Sequence, residues 1–288
     1  NVRFNPLAYN VDIAVNGVNI GKGAGSIATN TRIGVSALAA NTTGANNFAS
    51  GYQALLANTT ANGNTAVGSQ ALYTNTTATF NVAVGYQALY TNNGAQNTTV
   101  GTFSLYSNSS GTSNSALGYA SLVSNTTGYQ NTGIGDSALR LNQTGSRNIA
   151  VGFGAAYTGT AASDVTALGY QALNLSTVSD NTAVGAYAMD ACTTGTGVAV
   201  GKNALGALTT GASCTAVGTS ALAAITTASF SSAFGFEAGL SHTGSRLSAF
   251  GYQASRLNTN GSDNCSFGHL SLTTNSSGSN NSAFGNGA

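Results

Sequence analysis

The sequence predicts an all-β fold, a parallel β-solenoid of about 16–17 short coils with a period of 16–17 residues. Three observations carry this: a glycine at a nearly fixed step, a small and a large apolar residue ahead of each glycine, and two columns of asparagine. The glycines are Gly21, Gly34, Gly51, Gly68, Gly85, Gly101, Gly118, Gly135, Gly152, Gly169, Gly185, Gly201, Gly218, Gly235, Gly251, Gly268 and Gly285. From Gly34 onward each step is 16 or 17 residues. Such self-similarity marks a rung that stacks on copies of itself, so the molecule is expected to be a rod.

The rung reads most clearly from Asn64 to Leu72, Asn-Thr-Ala-Val-Gly-Ser-Gln-Ala-Leu, followed by the polar stretch Tyr73 to Thr77. It is too short for a helical-pair repeat and lacks the 3.6-residue apolar spacing of a helix. It has room for short strands and turns. One residue before the glycine stands a large apolar column, including Val67, Val84, Leu117, Ile134 and Val217 and ending in Phe234, Phe250, Phe267 and Phe284. Two before it stands a small column that includes Ala66, Ala83, Ala116, Ala150, Ala183, Ala216 and Ala249. Alternate residues of a strand point to opposite faces, and a strand apolar on both faces is buried on both. The expectation is that the large column fills the coil interior, widening it from about residue 230, where Phe replaces Val. The alanines would then press against neighbouring chains around a symmetry axis, which makes these seven the candidate trimer-interface residues.

After the glycine, Ala then Leu recurs, as in Ala54-Leu55, Ala71-Leu72 and Ala88-Leu89. One Val, one Leu and two Ala per rung supply about 4–6 kcal/mol of burial before conformational entropy is charged. Asparagine recurs four residues before the glycine, as in Asn64 and Asn81, and seven after it, as in Asn58 and Asn75. Stacked identical amides form ladders, and Asn tolerates turns.

Charged residues make up 5% of the chain and the formal net charge is +1. That is too little for a nucleic-acid footprint. With so few charges, the surface is expected to be solvated by Asn, Ser and Thr. No apolar stretch is long enough to span a membrane, and the first residues lack the pattern of a signal peptide. The expectation is a soluble segment without membrane insertion, cut from something longer. Residues 1–20 are assigned to an N-terminal cap or connector and residues 21–288 to the repeat array.

Catalytic, cofactor and metal sites are not expected. His242 and His269 have no carboxylate-serine or carboxylate-cysteine pattern in matching columns. The acids do not recur at a calcium-repeat spacing, and Gly21-Lys22-Gly23 lacks the spacing of a phosphate loop. Cys192, Cys214 and Cys265 fall in different columns and read as small substitutes for Asn, Asn and Ser or Thr. The Asn-Thr-Thr turns at 41, 58, 75 and 125 match the N-glycosylation sequon. One column just after the glycine holds Tyr52, Tyr86, Tyr119, Tyr170 and Tyr252, extended by Phe153 and Phe236 and occupied by His269 near the end. These tyrosines are the surface-contact candidates for sugars or a cell surface, against the alternative that they cover the rod. Specific recognition is expected at the irregular places: Asn1 to Gly25, Thr158 to Asp164 and Ala223 to Phe230.

The segment Asn81 to Leu89, Asn-Val-Ala-Val-Gly-Tyr-Gln-Ala-Leu, and its counterpart Asn64 to Leu72 resemble the repeats of trimeric tail fibres of bacterial viruses and the heads of trimeric autotransporter adhesins. Asn16 to Gly25 resembles the lead-in to such arrays in viral fibres. The resemblance spans about residues 11–288. It implies a left-handed parallel β-roll assembled as a homotrimer. The expected function is a structural and adhesive fibre segment, a viral tail fibre or cell-surface appendage, extracellular, whose partners are copies of itself and a cell-surface glycan or receptor. A second reading is a self-assembling filament subunit whose rolls dock end to end.

Overall fold

The structure, a computed structural model, describes residues 13–288. The portion of the predicted cap at residues 1–12 lies outside the described residues. The described residues begin with a hairpin, β1 (Ile13–Val15) and β2 (Val18–Gly21), followed by a 3-10 turn at Ala24–Ser26. Sixteen short strands follow: β3 (Thr31–Ile33), β4 (Phe48–Ser50), β5 (Thr65–Val67), β6 (Val82–Val84), β7 (Thr98–Val100), β8 (Ser115–Leu117), β9 (Thr132–Ile134), β10 (Ile149–Val151), β11 (Thr166–Leu168), β12 (Thr182–Val184), β13 (Gly197–Val200), β14 (Cys214–Val217), β15 (Ser232–Phe234), β16 (Ser248–Phe250), β17 (Cys265–Phe267) and β18 (Ser282–Phe284).

From β3 to β18 each strand pairs in parallel with the next, and equivalent residues stay opposite one another throughout. The chain is a parallel β-solenoid of about 15 turns. That is fewer than the glycine count predicts, because Gly21 ends β2, which pairs antiparallel with β3 and is no rung. Fifteen steps at about 4.8 Å per strand make a rod roughly 70 Å long. A 16-residue rung keeps the register by losing a residue in a turn. Asn92 donates to the carbonyl of Gly94 two residues on, where Asn75 donates to Ala78 three on.

The two faces of the strand are the reverse of the sequence expectation. The small column faces the coil interior: Ala66, Ala83, Ala150, Ala183, Ala216 and Ala249 are wholly buried within the single chain and Ala116 nearly so. The large column faces outward, with Leu117 49% and Phe284 67% exposed. The physical reason is the width of the coil. Leu55, Leu72 and Leu89 reach in from the opposite turn and are fully buried, so the facing strand has room only for a methyl group. The alanines are therefore not available to neighbouring chains. The interior also does not widen after residue 230, since Phe234, Phe250 and Phe267 point away from it while Ala233, Ala249 and Ser266 line it.

Burying Ala71 and Leu72, neighbours in sequence, requires a backbone bend that neither helix nor strand provides. The chain supplies it with left-handed residues on either side of the alanine, Gln70 (φ 57°) and Leu72 (φ 51°), and repeats this in rung after rung. A left-handed residue other than glycine costs about 1–2 kcal/mol, offset here by leucine burial and by bonds such as Leu72 N–H to the Ala88 carbonyl (3.1 Å). The recurring glycine is required by the next rung. At Gly135, where φ is 127°, an added Cβ would lie 2.6 Å from the Gly152 carbonyl oxygen.

The asparagines are interior residues. Asn58, Asn64, Asn75 and Asn81 are wholly buried, so the expectation that Asn solvates the surface does not hold for these columns. In one ladder the Asn47 side-chain oxygen accepts from Asn64 N–H (2.9 Å) and the Asn64 oxygen from Asn81 N–H (2.9 Å). In the other, Asn92 Nδ2 donates to Asn75 Oδ1 (3.0 Å) and Asn108 Nδ2 to Asn92 Oδ1 (2.8 Å). The sequon residues Asn41, Asn58, Asn75 and Asn125 belong to this second ladder and are buried, so the folded chain offers no glycan acceptor there.

Candidate assembly face

The outward face of the parallel sheet consists of two columns. One is the large column before the glycine. The other, two residues earlier and on the same side by strand alternation, holds Thr65, Val82, Thr98, Ser115, Thr132, Ile149, Thr166, Thr182, Val198 and Thr215, then Ser232, Ser248, Cys265 and Ser282. Neither column contains a charged residue from Thr31 to Phe284. β-Branched and aromatic side chains fit a pleated surface, and here they leave a continuous uncharged strip, one column mostly apolar and the other mostly hydroxyl-bearing. Ile149 is 45% exposed and Val198 38%. The strip's large column, with Val100, Leu117, Ile134, Val200, Phe234, Phe267 and Phe284 exposed, runs the length of the rod, where ordinary soluble surfaces carry isolated apolar patches.

At the end of the strip the rings order one another. Phe234, Phe250, Phe267 and Phe284 stack at centroid separations of 4.8, 4.6 and 5.4 Å with planes within 7° of parallel. Cys265 sits in the column beside them, partly exposed. Cys192 and Cys214 are buried and take over asparagine's bonds: Cys192 Sγ donates to the Gly195 carbonyl (3.1 Å) and Cys214 Sγ lies 3.6 Å from that of Ala228. Burial pushes both thiols up.

The tyrosine column is exposed, but its members are not equivalent. Tyr86 and Tyr119 flank Phe103 edge-to-face, at 5.5 and 6.1 Å. Phe153 stacks on Tyr170, and Tyr252 lies between Phe236 (5.5 Å) and His269 (5.3 Å). Rings stacked along the rod axis cover each other's faces, and sugar recognition by an aromatic platform needs an open face. Tyr52, 52% exposed, stands next to Ser69 in the column. A second aromatic stack, Tyr73, Tyr90 and Tyr106 at 4.9 and 5.0 Å, was not singled out from the sequence.

Three Arg-carboxylate pairs bridge neighbouring rungs. Arg147 and Asp164 form a two-bond pair on consecutive rungs (2.7 and 2.6 Å), and Arg246 with Asp263 repeats it (2.5 and 2.8 Å). Arg256 meets Glu237 at 2.6 Å. Each guanidinium holds its carboxylate below the usual range. His242 is buried in the place of a ladder asparagine, with Nδ1 3.3 Å from the Asn258 carbonyl and Nε2 without a partner. Burial depresses its pKa. Among the described residues no three His, Cys, Asp or Glu side chains group to hold a metal ion, and no helix is long and apolar enough to cross a membrane.

The irregular turn at Thr158 to Asp164 leaves a mark inside the rod. Gly159 stands where the ladder requires an asparagine, so Asn142 Oδ1 is buried without a partner. A void of about 10 Å³ lies beside it, lined by Leu139, Asn148, Ala156, Gly159, Ala162, Val165 and Ser176. With the fold and its faces described, comparison with family models, with curated proteins and with solved structures returns no match.

Proposed function

We propose that this chain is a rigid, adhesive segment of an extracellular fibre, carried by a virion or a cell-surface appendage and built as a homotrimer of left-handed β-rolls. The observation that carries the proposal is the uncharged outward strip of Thr, Val, Ile and Phe along the whole parallel sheet. Water-exposed over its full length it is a liability; shared among copies it becomes an internal seam. A strip about 70 Å long and about 10 Å wide offers roughly 700 Å² per chain; divided between two neighbours this is about 350 Å² for each, below the ~800 Å² per partner of a standard stable interface, so the turns flanking the strip complete the seam. Three such faces around an axis leave the ion pairs, the turn hydroxyls and the tyrosine column on the outside. Reach and stiffness come from the rung-to-rung amide ladders, and surface contact from side features repeated along the rod, which bind by avidity.

Light scattering on the native protein tests this. The expected particle has three times the 28.4 kDa chain mass and images as an unbranched rod. A particle of one chain mass overturns the assembly, and a compact outline overturns the fibre.

A further inference from the structure

A face that repeats every rung has a register problem. If copies pack through alternating Thr and Val, sliding one copy by one rung exchanges Thr for Thr and Val for Val, and almost nothing opposes it. Weakly specified strands slip for the same reason. Much of the mid-section of the strip is of this kind, with Thr65 and Val67, Thr132 and Ile134, Thr166 and Leu168, Thr182 and Val184, Thr215 and Val217, while Val82, Ile149 and Val198 exchange a hydroxyl for a methyl at nearly the same volume.

Two places on the strip break the repeat in size by an aromatic ring. In β4 the sizes are reversed, with Phe48 in the Thr column and Ser50 in the Val column. From β15 to β18 the Val column becomes phenylalanine while its neighbour shrinks to Ser232, Ser248, Cys265 and Ser282. We propose that these non-repeating rungs, above all the Phe234-Phe250-Phe267-Phe284 stack, are the register key of the assembly: they bind a second copy of this chain only when equivalent rungs lie level. This rests on the self-assembly proposed above.

The physical argument is one of volume and order. Close-packed interfaces tolerate neither a void nor an overlap. A one-rung slip sets Phe234 of one copy level with Val217 of the next and leaves one Phe284 beyond its partner's last ring. The four rings are also held parallel by one another within the single chain, so little side-chain freedom is lost when a partner arrives. A pre-ordered aromatic block at one end of an otherwise uniform seam fixes alignment for all the rungs behind it.

The test replaces all four phenylalanines (F234V, F250V, F267V, F284V), which makes the end of the strip like its middle. A nitroxide is placed at Lys202→Cys, on an exposed side position off the strip, in a Cys265→Ser background; the two remaining cysteines are buried. Inter-chain distances are then read by pulsed electron paramagnetic resonance. The chain with its phenylalanines is expected to give one narrow distance, and the Val variant several, at unchanged assembly mass. A Val variant that keeps one narrow distance overturns the register key. So does one that falls apart into single chains, because the rings would then supply affinity in place of alignment. If the four-fold variant loses its β circular dichroism, the pair Phe250→Val, Phe267→Val is read the same way, with the same two outcomes decisive. A single-chain mass for the parent protein is the separate result that removes self-assembly itself.

Discussion

Between Asn30 and Asn148 both asparagine columns are complete, whereas between Gly159 and Leu247 they are almost entirely replaced. There one column reads Gly159, Ser176, Cys192, Leu208, Ile225 and His242, and the other includes Val165, Cys214, Ser231 and Leu247 around the single amide of Asn181. The strand register does not change across the boundary. Amide ladders are thus one of two ways to build the same coil. Each rung needs a filled interior and is favoured by partners for its buried polar groups, and Leu208 and Ile225, both wholly buried, fill the interior without adding a polar group. Size is traded between columns in the same spirit. Where Gly239 stands in place of the buried leucine, Leu247 replaces an asparagine, and its Cδ2 lies 2.9 Å from where a Cβ on Gly239 would be.

The comparison is broken most strongly by moving an apolar residue into the amide stretch. Asn92→Leu leaves Asn75 Oδ1 without its donor and Gly94 N–H without its acceptor, and removes one of the two bonds made by Asn108 Nδ2 and by the Gly94 carbonyl. Buried groups left unsatisfied cost about 1–3 kcal/mol each, so local stability around Asn75 to Asn108 is expected to fall by about 3 kcal/mol or more, read by amide hydrogen exchange. In the replaced stretch the cost comes from volume. Leu208→Ala is expected to lose about 2–5 kcal/mol through the cavity it leaves, read in the same experiment around Gly195 to Thr226.

Restoring the amide at the boundary sharpens the contrast from the other side. Gly159→Asn offers Asn142 Oδ1 a donor, provided the irregular turn shifts by a few tenths of an ångström, since an added Cβ would lie 3.1 Å from the Ser176 carbonyl oxygen and 3.3 Å from Ala162 Cβ. A satisfied hydrogen bond contributes about 1 kcal/mol, so protection is expected to rise by that amount in the rungs on either side; unchanged exchange there would disconnect the orphaned oxygen from the missing asparagine.

The smallest effect at neutral pH is at His242. Its folded pKa lies below the unfolded value of about 6.5. The unfolded chain therefore takes up the proton first as pH falls, and stability present above about pH 6.5 is lost progressively below it. His242→Asn should leave the melting temperature nearly unchanged at pH 8 and remove part of its decline between pH 7 and pH 5. The three Arg-carboxylate pairs act in the same direction at lower pH, since their depressed carboxylates lose their contribution as pH falls through the carboxylate range.

The rod and its rung length were legible in the sequence because a glycine that tolerates no Cβ under the next rung must recur at every turn. Gly135 beneath Gly152 shows the constraint directly. The asparagine ladders were legible for a similar reason, as were the cysteines that replace them. The direction of the strand faces was misread, although a signal was present. Thr65, Thr98, Thr132, Thr182 and Thr215 share a side with the large column, and a hydroxyl column with no fixed partner belongs outside. Reading the large residue as the inner one neglected the leucine that enters from across the coil. The left-handed leucines, Leu72 and its equivalents, carry no signature in residue type; only the burial of two sequence neighbours, Ala71 and Leu72, reveals them.

The account depends most on which strand face meets other copies. Val84→Asp, Val151→Asp and Val217→Asp together place three charges on the outward strip, and the mass of the native particle is the direct measurement. The account predicts a folded β-rich chain of 28.4 kDa in place of the proposed trimer, because solvent reaches these positions in a single chain while desolvating them in a seam costs several kcal/mol. A triple variant with the mass of three chains would contradict it.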